Sequence, residues 1–359
     1  LDWWEREDIR GNKCLLRALR AKRGNFLDKV LVLGGGVIGL SIAATLAINN
    51  YAVTVVASDA AEGKFASGTP AGILMPWDGE KKHEKRIAAF NLWRSWSSTI
   101  EKLSSLTIDY QEIGTLRIKA CKSPTLKGEG DWSTLKNRGI ALGNDIGEHS
   151  SLLLPGATIT TTKLLSALRN IINNLGGSII SDSIVSMHFS RFSANSVKGK
   201  SGKEYLADTF ILAAGLGTSA FLSDLGINET IIGDGGEVLQ VSSPRPPPSL
   251  LYLDDFIIVP KLDGSSWVAG IHRKFEKEPA FVKEDEAQLL AIAKKALGES
   301  TTKIGQWAGV RPKVMNKGEA ILQRAPLAKN VIVAAGHSSN GILLSPLVAQ
   351  EILELVANG

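Results

Sequence analysis

Glycines stand at the first, third and sixth positions of Gly34-Gly35-Gly36-Val37-Ile38-Gly39, after the apolar run Val30-Leu31-Val32-Leu33 and before a helical stretch from Leu40 to Ile48. A strand, a glycine turn and a helix in that order make a phosphate cradle. The first glycine permits the tight turn, the second lets backbone approach a pyrophosphate, and the third lets helix pack on strand. Gly34, Gly36, Val37, Ile38 and Gly39 are therefore read as dinucleotide-binding. The strand Val53-Thr54-Val55-Val56 follows, and the position expected to carry a ribose-binding acid is Ala57. Ser58 and Asp59 arrive just after it, so either they take the ribose contact or they cap a turn; both readings stand.

Two other glycine-bearing segments carry no comparable chemistry. Gly199-Lys200-Ser201 lacks the glycine that a phosphate-binding P-loop needs five residues earlier, where Ala194 stands. Gly336-His337-Ser338-Ser339-Asn340 lacks the glycine that a nucleophile elbow needs two residues after its serine. The five histidines and the two cysteines, Cys14 and Cys121, show no metal spacing, and the cysteines cannot build a disulfide framework, as expected of a reducing, cytoplasmic setting.

The elements that must position the cradle belong to a chain of 359 residues, 44% hydrophobic, long enough for two or three domains. Its 41 Lys+Arg exceed 36 Asp+Glu by only five, a weak electrostatic argument for a nucleic-acid partner. The apolar stretch from Val30 to Ala57 is broken by Gly34-Gly35-Gly36 and by Asn49-Asn50, so it reads as strand, helix and strand rather than an integral membrane segment. Ahead of it, Trp3 and Trp4 anchor an amphipathic N-terminal extension, residues 1–28, in which Asp2, Glu5, Glu7 and Asp8 argue against a signal peptide. Phe90, Trp93 and Trp96 fall on one face of a helix expected over 84–103, a core face.

The loop Ala66-Ser67-Gly68-Thr69-Pro70-Ala71-Gly72-Ile73-Leu74-Met75-Pro76 resembles the flavin-side loop of the D-amino-acid oxidase and glycine oxidase family. The likeness continues through Leu154-Pro155-Gly156-Ala157 and the helix 162–175, the strand 179–185, Thr209-Phe210-Ile211-Leu212-Ala213-Ala214-Gly215, and Asp255 to Pro260. It ends with Gly309-Val310-Arg311-Pro312, the closing strand Val331 to Gly336, and a last helix over 347–356. It covers about residues 29–359 and is nearest to the glycine oxidase branch.

The resemblance implies FAD as cofactor, held by Ser67, Ala71, Gly72, Ile73, the backbone of Val185, Ala214, Gly215, Gly336, His337, Ser339, Asn340, Gly341 and Ile342. It implies an α/β fold: a Rossmann-like, glutathione-reductase-like FAD domain (29–76, 155–222 and 328–359) and an α+β substrate domain on a mostly antiparallel sheet (77–154 and 223–327). It assigns Arg311 to the substrate carboxylate and puts Tyr252, Ile257 and Arg273 in the pocket, Arg273 either for a second anionic group or as a solvated strand end. Ile257 replaces a cavity-closing tyrosine, and Ser339 stands where an arginine is expected.

The function implied is oxidation of a small amine or amino acid to an imine, with oxygen as acceptor and hydrogen peroxide as product. For glycine it points to thiamine thiazole synthesis; a homo-oligomer is allowed. One alternative is a tRNA-modifying FAD oxidase that removes a carboxymethyl group from modified uridine, with Lys81, Lys82, Lys85 and Arg86 near the pocket mouth. Another is a flavin-binding dehydrogenase subunit without independent turnover.

Overall fold

The computed structural model describes residues 28–58, 66–78, 81–120, 149–253, 255–316 and 319–358. Trp3, Trp4, Cys14, Asp59 and Cys121 lie outside these, as does the expected N-terminal extension apart from Asp28.

The glycine cradle lies between β1 (Lys29–Leu33) and α1 (Val37–Ile48), and β2 (Ala52–Ala57) follows. Next come α2 (Glu84–Ser104), β3 (Thr115–Ala120), β4 (His149–Leu154), α3 (Thr161–Asn174), β5 (Ser178–Ser181) and β6 (Thr209–Leu212). The second half contributes β7 (Ile231–Ser242), β8 (Leu250–Leu253), β9 (Phe256–Pro260), β10 (Ser266–Ala269) and α4 (Lys283–Leu297). It closes with β11 (Thr302–Val314), β12 (Ile321–Ala325), β13 (Ala328–Ala335) and α5 (Gly341–Ala357).

One six-stranded sheet runs β5-β2-β1-β6-β13-β12, parallel except for the last pair. Its strands are nearly continuous apolar runs because both faces are covered, as in a doubly wound fold. On one face α1, α3 and α5 pack with α2, whose Trp93 is fully buried and donates its indole N–H to Leu343 O at 2.9 Å. Phe90, Trp93 and Trp96 form the expected core face. The second sheet runs β7-β10-β9-β8-β3-β4, with β11 along the other side of β7; it is mostly antiparallel, β8 and β3 being the parallel pair. One of its faces packs on α4 and the other turns towards the loop holding Ala71 and Met75.

The structure departs from the expected elements at four places. The segment 179–185 is not one strand: β5 ends at Ser181, and Val185 belongs to Ile184–Ser190 in a separate three-stranded sheet. Between them Asp182 turns inward to accept hydrogen bonds from Ser201 and Tyr205. The last helix begins at Gly341 rather than 347, with Pro346 inside it. Proline offers no N–H to the carbonyl four residues back, and here the Ser345 hydroxyl donates to Ile342 O at 2.8 Å instead. The stretch Ser338–Ala357 is long and apolar enough by composition to cross a membrane; its Leu343, Val348, Ala349 and Ile352 are buried in the core. Finally α2 packs into the first core and β12 pairs in the first sheet, although the expected boundaries place both with the substrate domain.

Candidate active site

Gly34 and Gly39 of the cradle are required by neighbouring backbone. A Cβ on Gly39 would lie 2.0 Å from the Gly34 carbonyl oxygen, and one on Gly34, whose φ is +124°, would lie 2.3 Å from Ala213 O. Gly36 meets only the Ser67 hydroxyl oxygen, at 3.2 Å, and that oxygen accepts the Val37 N–H at 3.0 Å. The loop residue Ser67 therefore sits at the N-terminus of α1, where phosphate oxygens would be held.

A second helix N-terminus converges on the same place. A Cβ on Gly341, the first residue of α5, would lie 3.9 Å from the Val37 side chain, and neither α1 nor α5 has an acidic residue in its first turn. Two uncompensated positive helix ends side by side favour a ligand with negative charge at two points. The turn before α5 supplies an orphaned polar atom: His337 is buried, burial pushes its imidazole down to about 4, and its Nε2 has no hydrogen-bond partner. His337 is thus neutral near pH 7, a hydrogen-bonding group rather than a cation. A dinucleotide with a redox ring fits these residues: pyrophosphate at Gly36 and Val37, ring edge at the Gly336–Gly341 turn.

Strand β11 brings the substrate side to that turn. A Cβ on Gly309 would lie 2.2 Å from Thr69 Oγ1 of the loop, Pro312 lies 3.9 Å from the corresponding position on Gly215, and Lys313 forms a bridge with His337. Trp307, Gly309 and Arg311 alternate onto one face of the sheet. Registered neighbours continue that face as a row, Trp307, Val238, Ala269, Ile257, Tyr252 and Arg117, each paired with the next. Trp267 packs on Trp307 with ring centroids 4.7 Å apart, and Ala71, Ile73 and Met75 close on the apolar part from the loop. Tyr252 and Ile257 are therefore brought together on the wall that faces the loop.

The two arginines have different surroundings. Arg311 lies across Gly236, where a Cβ would come within 2.6 Å of its Nη2, and donates to three backbone carbonyls: Asp234 at 3.1 Å, Gly235 at 2.9 Å and Ile271 at 2.7 Å. Burial lowers its affinity for the proton, Asp234 opposes this, and Arg273 adds to it. Among the described residues only Nη1 of the guanidinium has no hydrogen-bond partner, so the expected two-pronged fork is reduced to the two N–H groups on Nη1. The Asp234 carboxylate behind it pairs with His272 Nδ1 at 2.8 Å and lies 3.5 Å from Arg311 Nε. Arg273 is bound by Glu237, Glu276, Asp285 and the Ala280 carbonyl. Burial opposes its charge, yet Glu276, Glu237 and Asp285 carry its guanidinium above the usual range. The donors of Arg273, expected in the pocket, are here taken up by these partners, and it pins the start of α4 through Asp285.

Of the remaining sequence-read residues, Ser58 follows β2, Val185 is 56% exposed, and Ala214 and Gly215 (φ +60°) open the turn after β6. Gly72 needs its φ of +72° and lies against Ile159 O. Ser339 is exposed, and Asn340 precedes α5 with Ile342 buried. Lys261 was not anticipated. Just beyond β9, it donates to Ala71 O at 2.7 Å, Ile159 O at 3.0 Å and Thr158 Oγ1 at 3.1 Å, its Nζ 4.5 Å from the Trp267 ring centroid. Burial pushes its ammonium down to about 7 while Asp109 and Asp263 pull upward. It ties the flavin-side loop to the second sheet. Only the short spacing from Pro260 to Gly264 hints at a tight turn there; nothing in the sequence marks the lysine as buried.

The family model described as FAD dependent oxidoreductase (DAO) matches residues 29–355. A glycine oxidase of Bacillus subtilis is 26% identical over 355 residues, covering 92% of this chain and 93% of that protein. The bifunctional protein ThiO/ThiG of a Synechocystis species is 27% identical over 353 residues, covering 91% of this chain but 51% of the relative, so the chain spans about half of that protein. The crystal structure of glycine oxidase from Bacillus cereus superposes with a TM-score of 0.79 at 20% identity, over 92% of this chain and 98% of the other. With the paired helix ends, the neutral buried histidine and the glycine cradle already in place for such a cofactor, the chain belongs to the family of FAD-dependent oxidoreductases.

Proposed function

We propose that this enzyme oxidises a small amine or amino acid at Cα in a cytoplasmic setting, with FAD held on the first sheet and substrate held on the second. Bound FAD would supply the hydride acceptor, with oxygen as the final oxidant, so the products would be an imine and hydrogen peroxide. The chain's part is orientation. The Arg311 guanidinium, kept in place by three carbonyls, receives the substrate carboxylate through Nη1. The apolar wall of Ile257, Trp267, Trp307 and Ile73 keeps water from the reacting carbon. No protein base is needed, since the amine enters neutral; His272 serves Asp234, and His337 stays uncharged.

The observation that carries the reading is the meeting of Arg311's strand with the cofactor turns at Thr69, Gly215 and His337. Anaerobic mixing of the yellow holoenzyme with glycine, sarcosine, N-ethylglycine, D-alanine and D-proline tests it. At least one should bleach the flavin, with peroxide appearing on aeration. Bleaching without peroxide would favour the dehydrogenase alternative. No bleaching, with tight salt-dependent tRNA binding, would favour the tRNA enzyme.

A further inference from the structure

Lys261 is held at both its ends. Its main chain is fixed in the tight turn between β9 and β10, where its N–H donates to Ser265 O at 2.9 Å and its carbonyl accepts the Gly264 N–H at 3.0 Å. Its ammonium has three N–H groups and meets three acceptors, Ala71 O, Ile159 O and Thr158 Oγ1. Ile73–Leu74 pairs with Ala157–Thr158, and the Ile159 N–H donates to Gly72 O, so the three oxygens belong to one small sheet at the end of the flavin-side loop. Among the described residues no carboxylate forms an ion pair with Lys261. An enclosed ammonium without one is costly, and an apolar side chain of that length would fill the place without the cost. What the charge adds is a bond between the second sheet and the loop.

The same contacts close a ring where the two sheets meet. Along the loop, Ser67 stands at the N-terminus of α1, Thr69 meets β11 at Gly309, and Ala71 is held by Lys261. Back from Lys261, the Trp267 ring lies with its centroid 4.5 Å from Nζ and packs on Trp307, two residues before Gly309. We propose that Lys261 is a positioning residue for the flavin: it sets how closely the loop stands against the substrate strand, and with that the seat of the flavin ring, while the glycine cradle holds the phosphates without its help. The cradle is fixed by main-chain atoms of Gly34, Gly39 and Ala213, and among the described residues Lys261 makes no hydrogen bond to it. Arg311 is likewise held by its own three carbonyls. Removing the ammonium should therefore disturb the ring and spare both the grip on the phosphates and the grip on the substrate carboxylate.

Lys261→Met keeps the length of the side chain and removes its donors. Holoenzyme of the wild type and of this variant is compared by FAD affinity and by the visible circular dichroism and fluorescence of the flavin, none of which needs a substrate. The Kd for FAD should change by less than about threefold, while the dichroism bands shift and the fluorescence rises. With a substrate that bleaches the wild type, flavin reduction in single turnovers should slow about tenfold at a nearly unchanged substrate Kd, because a small misplacement of reacting groups acts on rate. That kinetic arm rests on the function proposed above; the spectral arm does not. Thr158→Val removes one acceptor and keeps the shape, and it should shift the same bands in the same direction and slow reduction about threefold even if Lys261→Met does not fold. A lowered unfolding midpoint with unchanged bands and reduction rate in every folded variant would overturn the proposal, leaving Lys261 a structural tether. Loss of FAD affinity without a spectral change would overturn it too, by assigning the lysine to the grip on the phosphates. Failure of all amines to bleach the wild-type flavin would sink the oxidase reading and leave the spectral comparison intact.

Discussion

Around Gly34, Gly36 and Gly39 the first sheet presents backbone: an added Cβ on Gly34 or Gly39 would lie 2.3 or 2.0 Å from a main-chain oxygen, while one on Gly36 would face only the Ser67 hydroxyl, at 3.2 Å. Across Arg311 and Ile257 the second sheet presents side chains, aligned by strand register and held by carbonyls and rings. A defect at Gly34 or Gly39 should therefore remove cofactor and fold together, and one at Gly36 the cofactor alone. A defect in the second changes what is bound and leaves the cofactor in place.

The largest effect should come from Gly39→Ala, because the added carbon meets a carbonyl oxygen at 2.0 Å that cannot move without opening β1 from α1. Colourless, thermally destabilised protein is expected. Gly36→Ala meets only a serine hydroxyl, so it should stay folded and lose FAD affinity instead. Retention of FAD by Gly39→Ala would break the comparison.

Within the second region the two arginines should separate. Arg273→Gln leaves Glu237, fully buried at its side chain, without its counter-charge and should cost about 3–5 kcal/mol in urea unfolding, with little change in substrate KM. Arg311→Ala should keep FAD and raise substrate KM about 100-fold, with partial recovery in Arg311→Lys. An unchanged KM in the alanine variant would remove Arg311 from the site.

His337 links the regions through pH. Its imidazole titrates near 6.5 when unfolded and is pushed to about 4 in the fold, so acidification through that window protonates the unfolded chain first. Stability should fall between pH 6.5 and 4, by at most about 3 kcal/mol, and be intact above 6.5. His337→Gln should flatten that part of the profile, read as unfolding midpoints against pH.

The smallest effect concerns specificity. Ile257 lies in an apolar wall with Trp267 and Trp307 where a hydroxyl would order a small polar substrate. Ile257→Tyr should shift kcat/KM towards glycine and away from N-ethylglycine and D-proline, each by about fivefold, or about 1 kcal/mol. A wild-type preference for glycine over every larger amine would contradict the open cavity read from Ile257.

The sequence by itself determined the cradle, the strand and helix that flank it, and the face of Phe90, Trp93 and Trp96, because periodicity and glycine spacing are local and backbone geometry follows from them directly. It also marked Arg311, through Gly309-Val310-Arg311-Pro312. The sequence could not reveal how each arginine is spent, since that depends on which segments fold beside them: the carboxylates of Glu237 and Asp285 with nearby Glu276 in one case, carbonyls across β7 in the other. Lys261 was hidden for the same reason. A lysine after a strand reads as solvated until the fold buries it among three acceptors. Burial and partnership are properties of distant segments meeting, so tertiary structure alone decided them.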